Sequence, residues 1–168
     1  MGEGPRYRVA FRRRREGRTD YKKRLHLLKG RTTRLVVRRS LRTITVQFVD
    51  YAEEGDVVKA AATSRELGKH GWTNSTSATP AAYLTGLLAA KRAKAKGVTE
   101  AVLDLGRHVP TRGGRIYAAL KGVVDAGIEV PHDAKVLPAQ ERLQGDHLTD
   151  APIAQFKKVV ATIQGGAP

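Results

Sequence analysis

Catalysis needs nucleophiles, paired acids and bases, or metal ligands at workable spacing, and this chain offers few of them. It has no cysteine, which excludes disulfides, thiolate zinc sites and cysteine nucleophiles together. Its five histidines (His26, His70, His108, His132 and His147) are scattered, with no H-x3-H pair and no HExxH. His132-Asp133 and Asp146-His147 are chain neighbours whose side chains leave the backbone in different directions, so they are not dyads. No GxSxG, Walker loop or strand-following GxGxxG occurs. Nothing in this inventory argues for catalysis, a metal or a cofactor. What the residues can do is hold anions. Arg12-Arg13-Arg14-Arg15 is a block of like charge that repels itself until counter-charge arrives, and the guanidinium fork matches phosphate bidentately. Tyr7, Phe11 and Tyr21 interleave with the bases and could stack on unpaired nucleobases. A second candidate is Arg112-Gly113-Gly114-Arg115 ahead of a helical pattern. It reads either as a phosphate clamp, with backbone N–H groups open to an anion, or as a plain loop leading into a helix.

The charge is unevenly placed. The chain has 168 residues, 40% of them apolar, and a net charge of +15. Sixteen of its 31 Lys and Arg, but only Glu3, Glu16 and Asp20 among its 16 acids, lie in residues 1–42. That segment therefore carries +13 and the remainder only +2. The length suits one domain, and the charge points to a polyanion, nucleic acid before membrane. A membrane-surface helix needs a wide apolar face among its bases, and Arg6–Arg18 has none. No apolar run approaches the length of a membrane span, and no apolar stretch follows the basic N-terminus as in a signal peptide. An intracellular, cytosolic protein is expected, built as a basic extended arm (1–18), an α/β RNA-binding domain (19–148) and a C-terminal helix and tail (149–168).

The elements that must position these residues follow from periodicity. Thr19 or Asp20 caps a helix running to Lys29, with Tyr21, Leu25 and Leu28 on one face and Gly30 as its stop. Arg34–Ser40 and Val57–Ala62 read as strands, and Thr43–Val49 alternates with Ile44, Val46 and Phe48 on one face and Thr43, Thr45 and Gln47 on the other. Short connections make these three an antiparallel meander. Ser64–Lys69 is a short helix closed by Gly71, and Trp72–Thr79 is a polar loop. Thr79 caps a long helix with Pro80 in its first turn, ending near Lys96. Ala101–Leu105 is a nearly all-apolar strand, as expected for one covered on both faces. A helix with Ile116, Ala119, Leu120, Val123 and Val124 on one side follows, then a short strand at Ile128–Val130. Leu137–Leu148 and Pro152–Ile163 read as further helices, the latter with Ile153, Phe156, Val160 and Ile163 on one side. Trp72 and Tyr83 fit either core packing or base stacking.

The expected fold is thus α/β, with a mixed sheet in β-β-β-α-β-α-β order. That is the element order of the ribonuclease-H-like fold, whose nucleases hold two metal ions with carboxylates from the first strand, the first major helix and the fourth strand. Asp104 stands on the candidate fourth strand, but Arg34–Ser40 and Pro80–Lys96 carry no acid. The nuclease reading is therefore disfavoured, and Asp104 is expected to make a hydrogen bond or ion pair near a strand end. A generic architectural DNA or RNA binder is a further alternative.

The chain resembles the archaeal and eukaryotic type of large-subunit ribosomal protein eighteen, the family that binds 5S ribosomal RNA. The resemblance lies in Gly4-Pro5-Arg6-Tyr7, Arg12–Glu16, Thr19-Asp20-Tyr21, Arg24-Leu25 through Leu28 and Arg34–Arg38. It continues through Ala82–Leu88, Ala101–Gly106, Gly122–Pro131 and Arg142–Leu148, in order, over residues 4–148. Ser75–Thr79 departs from it by lacking a Gly and an Asn, and the tail after Asp150 is short for the family. The resemblance implies a non-catalytic constituent of the cytoplasmic ribosome. Such a protein docks on 5S RNA and helps attach it to large-subunit rRNA in the central protuberance, beside other ribosomal proteins, with no membrane or small-molecule substrate. The implied RNA contacts are Arg6, Tyr7, Arg8, Arg12, Arg13, Arg14, Arg15 and Arg18 on the arm. Tyr21, Lys22 and Arg24 join them from the helix, and Arg38, Arg39 and Arg42 from the hairpin. Arg112 and Arg115 complete the candidate set.

Overall fold

The structure, a computed structural model, describes residues 4–148 and 153–166. Its centre is a four-stranded sheet of β1 (Arg34–Arg39), β2 (Ile44–Asp50), β3 (Val57–Thr63) and β4 (Val102–Asp104), in the order β3-β2-β1-β4. The first three pair antiparallel as a meander, while β4 lies parallel to β1, opposing Arg34 with Val102 and Val36 with Asp104. The chain reaches β4 from β3 through a 3-10 turn (Ser64–His70) and the long helix α3 (Thr79–Lys94). Helix α4 (Arg115–Asp125) follows β4 and packs beside α3.

Period-two alternation decides which face of the sheet meets these helices. Leu35 and Val37 of β1 and Ile44, Val46 and Phe48 of β2 are fully buried against the helical layer. At the crossing of α3 and α4 the backbones touch. A Cβ on Gly86 would stand 2.1 Å from the Ala119 carbonyl oxygen, and one on Gly122 would stand 2.2 Å from that of Tyr83. Helix α6 (Ile153–Gly165) closes the layer through Phe156, Val159 and Ile163, and its Phe156 ring sits 5.4 Å from that of Tyr83. Lys91 Nζ on α3 donates to the Ile163 carbonyl at 2.6 Å, satisfying a C-terminal acceptor of α6.

Several expectations change. The arm is not extended throughout, because Arg12–Arg15 form a helical turn, α1. Glu16 stands between Arg12 (3.6 Å) and Arg18 (2.9 Å) at the end of this turn. Helix α2 spans Tyr21–Lys29 and is capped by Asp20, whose Oδ1 accepts from Lys23 N at 3.0 Å. Of the expected face of Tyr21, Leu25 and Leu28, the first two are exposed and Leu28 is half-buried; Leu27, Lys23 and Arg24 face the sheet. Helix α3 begins one residue earlier than read, with Ala78 at the cap and Thr79 inside the first turn. Strand β4 is not covered on both faces, since Val102 and Leu103 are half-buried. Ile128–Val130 does not form a strand; it contributes one parallel bridge between Glu100 and Glu129, just before Pro131 removes a donor. The helix expected over Leu137–Leu148 is only α5 (Gln140–Gln144), preceded by a 3-10 turn at Ala134–Val136. Pro138 breaks the pattern upstream, and Gly145, at φ 91°, ends it. The proposed start at Pro152 lies outside the described residues.

Candidate nucleic-acid interface

The N-terminal segment lies over the sheet face that the helices leave open. It encloses a cleft of about 550 Å³ whose floor includes Val36, Val49 and Val58 and whose roof includes Leu27 and Lys23 of α2. Arg6, Tyr7, Arg8, Arg12, Arg13, Arg14, Arg15, Arg18, Tyr21 and Lys22 are all exposed along this segment. Among the described residues, Arg6, Arg8, Arg14 and Arg15 form no ion pair, and Arg13 Nε donates only to Thr19 Oγ1, at 2.9 Å. Phe11 and Tyr21 sit as a tilted pair with centroids 5.8 Å apart, exposed enough to offer ring faces to a base. Gly17 takes φ 63° and rests against the Arg107 guanidinium, which turns the chain from α1 into α2.

Beneath the arm the arginines are not free. Arg34 and Asp104 are only 3% and 6% exposed. Arg34 Nη1 donates to Asp104 Oδ2 at 3.1 Å and its Nη2 to Asp56 Oδ2 at 2.6 Å. Asp56 also receives Arg24 Nη2 at 2.8 Å, and Asp104 receives Arg38 Nη2 at 3.1 Å. The result is a chain of alternating charge, Arg24–Asp56–Arg34–Asp104–Arg38, joining α2, the β2–β3 turn, β1 and β4. Burial pushes the Asp104 carboxyl up, but the Arg38 charge, the Gly106 N–H and the charge of Arg34 outweigh it and hold it below the usual carboxylate value. Hydrogen bonding from Arg24 and Arg34 holds Asp56 low in the same way, against the opposing effect of burial. Arg38 Nη1 further donates to the Asp104 and Val37 carbonyls at 2.6 and 2.9 Å. Asp104 therefore makes the strand-end ion pairs expected of it, with arginines rather than other carboxylates for neighbours. Two residues of the candidate RNA set, Arg24 and Arg38, are committed to this relay.

The remaining candidates lie elsewhere. Successive residues of β1 point to opposite sheet faces, so Arg38 turns toward the arm and Arg39 toward the helices. Arg39 lines a second cleft together with Arg115. Its backbone N–H donates to His108 Nε2 at 3.4 Å. Burial, then the charges of Arg39 and Arg38, push the His108 ring below its ordinary pKa. Arg42 is exposed at the β1–β2 turn, where its carbonyl accepts from Thr76 Oγ1 at 2.6 Å. In the Arg112–Arg115 loop Gly113 takes φ 63°, and a Cβ on Gly114 would stand 2.8 Å from the Thr111 carbonyl, so both glycines are required. Arg112 is exposed, whereas Arg115 Nη1 donates to the Ser77 carbonyl at 3.0 Å. Of the candidate set, the arm residues thus lie along one face and Arg39 and Arg115 in a helix-side cleft, while Arg42 and Arg112 line neither cleft.

The chain matches the family described as ribosomal large subunit proteins 60S L5 and 50S L18 over residues 5–100 and 93–133. It belongs to that family. Large ribosomal subunit protein uL18 of Korarchaeum cryptofilum is 59% identical over 148 residues, covering 88% of this chain and 76% of that protein. The protein of the same name from Methanococcoides burtonii is 52% identical over 150 residues (89% and 87%), and that from Aeropyrum pernix 54% over 149 residues (88% and 70%).

The matched segments take in this L5/L18 family member's arm, its buried relay and the Arg112–Arg115 loop. Sequence reasoning missed Arg34 as part of the site. Its signal was present: Arg34, Val36 and Arg38 at even spacing must share one sheet face. Trp72 is buried, and Tyr83 packs on Phe156 while its hydroxyl donates to Asp125 at 3.0 Å, so both serve the core. Among the described residues no group of three His, Asp or Glu gathers to hold a metal, and no helix is long and apolar enough to cross a membrane.

Proposed function

We propose that this chain is a structural constituent of the large ribosomal subunit that binds 5S ribosomal RNA and helps attach it to the large-subunit rRNA in the central protuberance. The observation that carries this reading is the arm, a run of exposed arginines for which Glu16 is the one acidic partner among the described residues, interleaved with exposed aromatic rings. Phosphates supply the counter-charge that the protein withholds, and Phe11 and Tyr21 offer faces to unpaired bases. The buried relay holds α2 over the sheet, so the arm departs from a fixed point. Family membership favours a ribosomal address over a free RNA or DNA binder. Arg6 to Arg18, Tyr21, Lys22 and Arg42 are the residues assigned to this contact, and neighbouring large-subunit proteins are the protein partners. The role involves no catalysis and belongs to the cytoplasmic ribosome.

Capture of purified 5S RNA against duplex DNA of equal length tests the reading. Preferential retention of 5S RNA is expected, and equal affinity for both would overturn the ribosomal assignment.

A further inference from the structure

The helix-side cleft holds charge of one sign. Arg39 enters it from the end of β1, Arg115 from the start of α4, and Arg142 and His147 from α5 and the turn beyond. Together with Thr79 and Gly114 they line a cavity of about 290 Å³, and no Asp or Glu lies among its lining residues. Among the described residues none of the three arginines forms an ion pair. The arm-side cleft is the contrast, since there Asp56 and Asp104 answer the arginines. Nor does composition explain the gathering. Residues 43–168 carry a net charge of only +2, yet the fold draws two of their arginines to one spot and sets Arg39 beside them.

Two helix ends reinforce what the arginines define. Helix α3, of 16 residues, and helix α4, of 11, both begin at the cleft wall with no acidic residue in the first turn and no side-chain cap. Pro80 brings no N–H to the first turn of α3, and the Gly114 N–H already donates to the Thr111 carbonyl at 3.0 Å; the first-turn N–H groups of α4 and both helix dipoles favour an anion there. Arg115 is braced by the Ser77 carbonyl, which leaves other N–H groups of its fork for a ligand.

We infer that this cleft binds a phosphodiester group of RNA, at a site separate from the phosphates gripped by the arm. Guanidinium forks and helix N–H groups match a tetrahedral anion. The volume admits one phosphate with its sugar and excludes a duplex. Arg38 and Arg39 face opposite sides of the sheet, so the arm and this cleft offer RNA two faces of the protein. Naming RNA as the source of the phosphate rests on the function proposed above; the affinity for phosphate does not.

The test is an NMR titration of the isotopically labelled full chain with inorganic phosphate at constant ionic strength. Saturable shifts of the Thr79, Gly114 and Arg115 amides are expected. In Arg39→Gln/Arg142→Gln, at two exposed positions, those shifts should no longer saturate. Affinity for 5S RNA should fall about tenfold, and the log–log salt slope should become shallower by about 0.7–0.9, the change for one phosphate. Shifts confined to the arm, or a double variant with unchanged RNA affinity and slope, would overturn the proposal. So would saturation of the cleft by polyglutamate but not by phosphate, which would assign it to an acidic protein segment. If 5S RNA shows no preference over duplex DNA while phosphate still saturates the cleft, the ribosomal assignment fails and the site stands.

Discussion

Arg34 and Asp104, 70 residues apart, meet at 3.1 Å with both side chains almost wholly out of water. Their contact ties β1 to β4 across the one parallel pairing of the sheet. Because Arg34 also holds Asp56, and Asp56 holds Arg24, the same guanidinium anchors the β2–β3 turn and helix α2. Elements that carry exposed arginines are thereby fastened from below.

Removing one member of such a buried pair leaves the other charge without compensation, which costs about 3 kcal/mol or more. Asp104→Asn is expected to lower the free energy of unfolding by about that amount. Urea denaturation followed by circular dichroism measures it, and an unchanged midpoint would contradict the relay's structural role.

Acid should destabilise the protein in a predictable order. Asp50, Asp56, Glu66 and Asp104 all have folded-state values below their ordinary 3.8 or 4.5. The unfolded chain therefore takes up protons first, so the stability these groups contribute is complete above about pH 4.5 and drains away as pH falls through the folded values. His108, lowered from 6.5 chiefly by burial, follows the same sign from a higher starting point. Calorimetry from pH 8 to pH 3 should show Tm falling slightly below pH 6.5 and steeply below pH 4.5. A Tm that rises on acidification would exclude this assignment.

The crossing of α3 and α4 depends on two hydrogens in place of methyl groups. Gly86→Ala gains about 1 kcal/mol of helix propensity. Its Cβ, however, would stand 2.1 Å from backbone that cannot turn aside. Overpacking of that kind costs about 3 kcal/mol. A net loss near 2 kcal/mol is expected, and the same holds for Gly122→Ala. Thermal melts decide it; a stabilised variant would show that the helices separate without penalty.

The arginine block should act on binding and not on folding. Its four side chains are exposed, and their contacts are the 3.6 Å pair of Arg12 with Glu16 and the bond from Arg13 to Thr19. Replacing all four with Gln is expected to leave Tm within a few degrees and to flatten the log–log salt slope for 5S RNA by roughly 3, at 0.7–0.9 per phosphate released. An unchanged slope would show that the block touches no phosphate.

Much of the architecture is written locally. Ile44, Val46 and Phe48 alternate because a strand's side chains must, Asp20 caps α2 because its carboxylate reaches the Lys23 N–H, and the excess charge lies in residues 1–42 whatever the fold. Local rules also marked Gly113 and Gly114 as a turn. They failed where the deciding partner is distant. The face of Tyr21, Leu25 and Leu28 has helical spacing, but Tyr21 meets the Phe11 ring and Leu25 stays exposed, while Leu27, Lys23 and Arg24 face the sheet. Ile128–Val130 has strand composition but finds one bridge and then Pro131. Spacing puts Arg38 and Arg39 on opposite faces, yet only the packing of α3 and α4 decides which face is covered. Only the tertiary structure brings Arg142 to Arg39, or Asp104 to Arg34, because burial and charge pairing depend on distance in space while the sequence orders residues along one dimension.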